Sequence, residues 1–248
     1  SMVDSTVDLP SAAAKIVKSK IANNSASCSS ENAVAVEEDA FNEMVAALQA
    51  EGGYLCSTKE RERLREYYWP DGKSLNRDVV AKPVKHLAKQ AKIEIPEGTR
   101  FLMVMGGKPG PEDRFSGEKV SLVLTLWKWT DFSEMIDRIK IMLEFSGLGH
   151  SVSIHSNRED RQDELALKLN VGRVNCNMPH AMTNSGSWFN GQPCTDSLGG
   201  GTWAGNNTSE NIIWKHFLNY TWLSVPIPEF IPTDDDIFGD YFKKWGRD

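Results

Sequence analysis

Apolar and polar residues follow two different spacings along this chain, and stretches of one spacing alternate with stretches of the other. Within 37–50, Phe41, Met44, Val45 and Leu48 recur at helical spacing, which predicts an amphipathic helix. The stretch 33–36 is instead an unbroken apolar run, as in a short buried strand. The same patterns predict helices over 12–21, 61–68, 84–91, 159–169 and from a cap at Thr130 or Asp131 to Phe145, and strands over 101–105, 121–127, 150–155 and 172–175.

This alternation of strands and helices favours one fold class, a three-layer α/β/α sandwich with a mostly parallel sheet. Several helix ends carry their own signals. Asp8-Leu9-Pro10 opens the first helix, Gly52-Gly53 ends the second, and Ser57 to Glu60 forms a capping box before the third. The chain of 248 residues is long enough to enclose a large apolar core.

The pattern changes after residue 176. Gly, Ser, Thr and Asn dominate 177–211 without helical or strand periodicity. The aromatic side chains of Trp188, Trp203, Trp214 and Phe189 nevertheless predict that this loop is ordered by aromatic burial and lines a site. A final strand is predicted over 216–226, followed by a tail rich in Pro and Asp with aromatic anchors at Phe238, Tyr241, Phe242 and Trp245. The expected domains are therefore 1–225 and a tail, 226–248.

Composition and charge exclude some partners. Lys and Arg number 28 against 34 Asp and Glu, a net charge of −6, so there is no broad basic surface for nucleic acid or an anionic membrane. No apolar run reaches the roughly 20 residues of a membrane helix, and the first residues lack a secretory signal pattern. The four scattered cysteines are typical of reduced thiols in a cytoplasmic protein.

Cys28 is the candidate nucleophile. It lies in a run of small polar residues, 23–32, between a predicted helix and a predicted strand, so its thiol has little apolar surface to bury it. Backbone N–H groups or a helix end beside it would increase the thiolate fraction. On composition alone, a buried and inert thiol is the commoner fate of a cysteine.

Three further patterns carry weaker signals. The glycine-rich stretch 199–206 lacks the Lys-Ser/Thr of a P-loop, so close backbone approach to a ligand and a structural turn are equally good interpretations. Cys176, His180 and Cys194 do not follow metal-ligand spacing, even with His150 and His155, and no metal site is predicted. Glu118 precedes a predicted strand. Its carboxylate could accept hydrogen bonds from a ligand hydroxyl such as that of a ribose, or it could simply be a solvated surface charge.

Taken together, these segments resemble the catalytic domain of the aldehyde dehydrogenases that acylate coenzyme A, including the aldehyde half of aldehyde-alcohol dehydrogenases. The segments that carry the resemblance are 24–36 around Cys28 and Glu31, 117–121, 147–151, 197–211 and Lys215-His216. In order and spacing they span about residues 10 to 225.

The resemblance implies a role for each matching residue. Cys28 becomes the nucleophile that forms a thioester, Glu118 contacts the nicotinamide ribose, and His150 contacts coenzyme A or assists proton transfer. The loop with Gly201, Trp203 and Asn206 lines the substrate entrance and the seam with a neighbouring subunit. The implied cofactors are NAD or NADP with coenzyme A as co-substrate, the implied substrate is a small aldehyde, and the implied assembly is a homo-oligomer.

The chain also departs from that family. No G-x-G-x-x-G motif lies between a strand and a helix, so we expect the NAD-binding domain, with the oxyanion-hole asparagine, to lie outside this chain and the isolated domain to be inactive or weakly active. The 193–196 insert, the tryptophan-rich loop and the acidic tail favour a substituted aldehyde such as sulfoacetaldehyde. The alternatives are a non-acylating aldehyde dehydrogenase, a catalytically silent scaffold module and a hydrolase that pairs Cys28 with a histidine.

Overall fold

Seven parallel strands form the centre of the structure, a computed structural model that describes residues 1–247. The strands are β1 (Met2–Val3), β2 (Ala33–Glu37), β3 (Gly53–Leu55), β4 (Phe101–Met105), β5 (Val123–Trp129), β6 (Gly149–His155) and β7 (Val171–Cys176). Their order across the sheet is β3-β4-β5-β2-β1-β6-β7, and every neighbouring pair is parallel. The predicted α/β sandwich with a mostly parallel sheet is confirmed.

Helices cover both faces of the sheet. In the unit that contains the sheet, the helices are α1 (Leu9–Ile21), α2 (Glu38–Ala50), α3 (Thr58–Tyr68), α4 (Val84–Gln90), α5 (Phe132–Phe145), α6 (Glu159–Lys168) and α7 (His180–Thr183). A further helix, α8 (Asp234–Trp245), belongs to a second unit that begins at Phe217. The apolar residues of α1 to α4 pack on one face, and those of α5 and α6 pack on the other. Among residues 1–247, no helix is both long enough and apolar enough to cross a membrane.

Strand β2 shows how the two cores divide. Side chains alternate across a strand, so Val34 and Val36 enter the core under α1 and α2, whereas Ala33 and Ala35 face α5. The two alanines are small. They leave space between this part of the sheet and α5, and that space becomes the cavity described below.

The predicted helix caps are present. The Asp8 and Asp131 carboxylates accept hydrogen bonds from backbone N–H groups of the first turn of α1 and α5, and Ser57 and Glu60 form the full capping box of α3. Each cap satisfies donors that a helix N-terminus leaves without partners. Strands β1 and β3 were not predicted, because two or three residues are too short to show a period.

The loop 177–211 is ordered by polar contacts rather than by aromatic burial. The side chains of Trp188 and Phe189 are exposed by 101% and 70%, and Trp203 by 43%. The prediction that they anchor the loop is therefore wrong. Instead, the buried Arg173 of β7 donates hydrogen bonds to the Gly199 and Ser209 carbonyls, which ties the loop to the sheet.

The compact unit with the sheet ends at His216, and a second, smaller unit begins at Phe217. The predicted strand over 216–226 is wrong: Trp214–Phe217 is a 3₁₀ turn and 218–226 is irregular and exposed. A strand needs a partner for its backbone groups, and the described part of the chain supplies none here. Helix α8 was missed, although Thr233 and Asp236 form a capping box at its start.

Candidate active site

The Cys28 thiol is presented by a tight turn after α1. Asn23, Asn24 and Ser25 have left-handed φ values of 48°, 52° and 64°, a conformation that asparagine tolerates better than most residues. The Ser30 N–H then donates to the Ser27 carbonyl over 3.0 Å, which closes a second turn. Cys28 lies in that turn and is exposed, so the predicted position of the thiol between two rigid elements is confirmed.

A cavity of about 180 Å³ opens beside Cys28, and Glu118 and His150 line it as well. It lies between α5 and the amino-terminal parts of β1, β2 and β6. One wall is apolar and is made by residues of α5, namely Met135, Ile139, Met142 and Leu143. Three residues that the sequence analysis selected separately therefore share one cavity.

Glu118 lies on the wall of this cavity, partly exposed to solvent. Its backbone N–H donates to the Ser146 hydroxyl over 3.1 Å, and the buried Lys119 ammonium donates to the Phe115 and Gly117 carbonyls. These bonds fix the backbone on both sides of Glu118. Partial burial raises the pKa of the Glu118 carboxyl, and within residues 1–247 this carboxyl forms no ion pair, so it is free to accept hydrogen bonds from a ligand.

His150 belongs to a short hydrogen-bonded series. Its Nδ1 lies 2.7 Å from the Ser151 hydroxyl oxygen, and the same oxygen lies 2.9 Å from Nε2 of His180. Burial and the nearby Arg173 charge lower the pKa of His150, and burial holds the pKa of His180 well below its usual range. Both rings are therefore neutral at pH 7, and the Ser151 hydroxyl orients them.

A buried amide network lies behind the Cys28 turn. The side-chain amide of Asn184 donates to the Ser29 hydroxyl over 2.8 Å, and the Asn175 amide donates to the Asn184 side-chain oxygen over 3.2 Å. Asn211 donates to the Asn184 carbonyl over 3.5 Å and accepts from Nε of Arg173 over 2.6 Å. The residue next to Cys28 is thereby connected to β7 and to the 177–211 loop.

The sequence analysis did not single out this network. The only sequence feature that pointed to a buried polar network was Arg173, a charged residue within a predicted strand. The asparagines lie far apart in the chain, in segments without useful periodicity.

Gly201, Trp203 and Asn206 lie outside the cavity, behind the first residues of β6. Gly149 has a φ of +82°, and a Cβ atom on it would lie 2.5 Å from the Gly200 carbonyl oxygen. The Asn206 side-chain oxygen accepts from the Gly200 N–H over 3.1 Å. The glycines thus permit close backbone packing here. That these three residues line a substrate entrance stays a prediction.

Comparison with known proteins gives the class of this chain. No family model matches it. The acylating sulfoacetaldehyde dehydrogenase of Bilophila wadsworthia is 38% identical, over 99% of this chain and 54% of the relative. An acetylating aldehyde dehydrogenase from Geobacillus thermoglucosidasius superposes with a TM-score of 0.88 at 27% identity, over 94% of this chain and 51% of that one.

A propionaldehyde dehydrogenase of Rhodopseudomonas palustris, solved with bound propionyl-CoA, shares the fold with a TM-score of 0.71 at 18% identity, over 85% of this chain and 45% of that one. The chain spans about half the length of the curated relatives it matches. These findings identify it as a homologue of the acylating aldehyde dehydrogenases, corresponding to about half of such a protein. The resemblance inferred from the sequence is confirmed.

Proposed function

We propose that this chain is the cysteine-bearing part of an NAD(P)-dependent acylating aldehyde dehydrogenase, which converts an aldehyde to an acyl-coenzyme A through a thioester on Cys28. The observation that carries the proposal is the shared cavity of Cys28, Glu118 and His150. Homology to acylating enzymes over nearly the whole chain supports it.

Cys28 performs the covalent chemistry in this proposal. Its thiolate attacks the aldehyde carbon and forms a thiohemiacetal. The Cys28 backbone N–H donates to no backbone or side-chain acceptor among residues 1–247, so it is free to hold the developing oxyanion. Loss of a hydride from the thiohemiacetal carbon leaves an acyl-thioester on Cys28, and the acyl group then passes to the thiol of coenzyme A.

The residues of the cavity fit the nicotinamide end of a dinucleotide. Glu118 offers a carboxylate without an ion-pair partner among the described residues, which suits a ribose hydroxyl pair, and the apolar side chains of α5 suit a flat ring. When bound, NAD(P)⁺ supplies the hydride acceptor that the oxidation requires. Residues outside this chain would hold most of the remaining cofactor. His150, neutral and oriented by Ser151, would contact coenzyme A or assist a proton transfer.

Sulfoacetaldehyde is the aldehyde we propose, because the 38% identical relative from Bilophila wadsworthia is an acylating sulfoacetaldehyde dehydrogenase. The cavity supports this choice with a set of hydroxyl groups that would hydrogen-bond a sulfonate. They belong to Ser29, Ser30, Ser116, Ser146 and Ser153.

The alternatives receive less support. A hydrolase needs a histidine within hydrogen-bond reach of the nucleophile. In the described part of the chain, the hydrogen-bond partner of the Cys28 sulfur is the Ser29 hydroxyl, at 4.0 Å, and not a histidine.

Assembly with a second copy is supported by the segment after His216, where Trp222 and Leu223 are exposed by 92% and 90%. The 1–225 and 226–248 division and the cytoplasmic location stay predictions.

The proposed function is tested by joining this chain to the part of the Bilophila wadsworthia relative that it does not cover. We expect NAD(P)H formation from sulfoacetaldehyde that requires coenzyme A. Cys28→Ala should reduce the rate by at least about 10³-fold, because the nucleophile is lost, while Cys194→Ala at another exposed cysteine leaves it unchanged. Full activity in the Cys28→Ala protein would reject the mechanism. Activity without coenzyme A would indicate a non-acylating enzyme.

A further inference from the structure

Glu31 is a buried carboxyl that faces the Cys28 cavity. Its side chain lines that cavity, and the residue is only 3% exposed. Within residues 1–247, neither carboxyl oxygen accepts a hydrogen bond of normal geometry. Because nearly all buried polar side chains have partners, a buried carboxyl without one calls for an explanation. A ligand bound in the cavity in front of Glu31 would supply the missing partner.

Among residues 1–247, no positively charged group forms an ion pair with Glu31. Lys20 of α1 is buried, but its ammonium donates to the Ser25 hydroxyl over 3.0 Å and forms no ion pair within 4.0 Å of Glu31 among the described residues. Burial raises the pKa of Glu31 to about 7, while the Ser19 hydroxyl, the Ser1 amino group and the Lys20 charge oppose that rise. The other ionisable groups of residues lining the cavity are the Ser1 amino group, Cys28, Glu118, His150 and His180.

The acyl-transfer step of the proposed reaction needs a proton acceptor. A free thiol has an ordinary pKa of about 8.5 and is mostly protonated at pH 7, whereas its thiolate is the nucleophile. A general base works best when its pKa is close to the working pH and it reaches the proton directly or through one water. The histidines of the cavity are less suited to this role, because Nδ1 of His150 and Nε2 of His180 already contact the Ser151 hydroxyl and burial lowers the pKa of both rings.

We propose that Glu31 is a catalytic residue that accepts the proton of the entering coenzyme A thiol during acyl transfer. The thiol sulfur then forms a bond to the thioester carbonyl carbon while the bond from that carbon to the Cys28 sulfur breaks. Cys28 leaves as a thiolate and takes the proton from Glu31, so one thiol and one thioester are present before and after. No oxidant or reductant is involved. This inference rests on the proposed role of Cys28.

The half-reaction can be measured in the 248-residue chain without a nicotinamide. p-Nitrophenyl acetate acetylates Cys28 with a leaving group that needs no proton, and N-acetylcysteamine, the thiol end of coenzyme A, then removes the acetyl group. Intact mass spectrometry follows both steps. We expect Glu31→Gln to slow deacylation by about 10²-fold at pH 7, since a positioned base contributes that much or more, and to change acetylation less than threefold.

The pH dependence separates proton transfer from packing. At pH 9.5 the thiol ionises without help, so the difference between Glu31→Gln and the native chain should shrink to within about fivefold. Glu31→Asp, which keeps the carboxyl, should deacylate faster than Glu31→Gln at pH 7. Glu94→Gln removes the same charge from an exposed position and should match the native rate.

Three results would overturn the inference. One is an unchanged deacylation rate in Glu31→Gln at pH 7. Another is an equal loss at both pH values, which would show a structural role. The third is a pH-dependent loss in His150→Gln and not in Glu31→Gln. Failure of native Cys28 to be acetylated at all would instead reject the proposed nucleophile, and the role of Glu31 with it.

Discussion

Cys28 and Cys56 are the same residue type in two opposite regions of one fold. Cys28 lies exposed on a polar turn, and the bonds that hold the turn come from Ser, Asn and backbone groups. Cys56 follows β3 in the apolar core under α1 to α4, where burial raises the pKa of its thiol to about 12. The surroundings therefore determine which thiol can act as a nucleophile. Polar contacts position the site, and apolar packing provides the stability.

The largest expected effect is the difference in alkylation between these two cysteines. With iodoacetamide near pH 7.5, we expect Cys28 to be labelled at least about 10³-fold faster than Cys56, because a thiol with so high a pKa holds almost no thiolate. Peptide mass spectrometry gives the rates, with the exposed Cys194 as a reference thiol. First labelling of Cys56 or Cys176 would contradict the comparison.

The second prediction changes only the apolar region. Leu48 of α2 is fully buried, so Leu48→Ala should lower the free energy of unfolding by about 2–5 kcal/mol through lost burial and a cavity. Urea titration measures this loss, and Gln49→Ala at an exposed position of the same helix should stay within about 0.5 kcal/mol. The Cys28 alkylation rate should not change more than twofold. A large change would mean that the two regions are coupled.

The third prediction, with the smallest expected effect, changes only the polar region behind Cys28. Asn184→Ala removes the donor to Ser29 and leaves buried groups without partners, so we expect a loss of about 1–3 kcal/mol of unfolding free energy. Unlike Leu48→Ala, it should also change the Cys28 alkylation rate, by about fivefold, because Ser29 is no longer held. Asn207→Ala, at an exposed asparagine, is the matched control. An unaltered Cys28 rate would show that the network supports only stability.

The sequence signals used to place helix starts were reliable. The helix caps at Asp8, Ser57 and Asp131 were correct, because a cap involves residues within one turn of each other. The strand predicted over 216–226 was wrong. Its apolar residues indicate that the segment can be buried, but they do not identify the surface that would bury it. The exposed Trp188 shows the same limitation in the 177–211 loop.

By itself, the sequence determined the alternation of strands and helices, hence the parallel α/β sandwich, and it placed Cys28 on an accessible turn. Only the tertiary structure brought Cys28, Glu118 and His150 to one cavity and left Glu31 buried in its wall. The three site residues lie before or at the starts of β2, β5 and β6, and the order of strands in the sheet decides whether such residues meet. Helical crossovers let a parallel strand pair with many neighbours, so that order depends on long-range packing, which local periodicity does not encode.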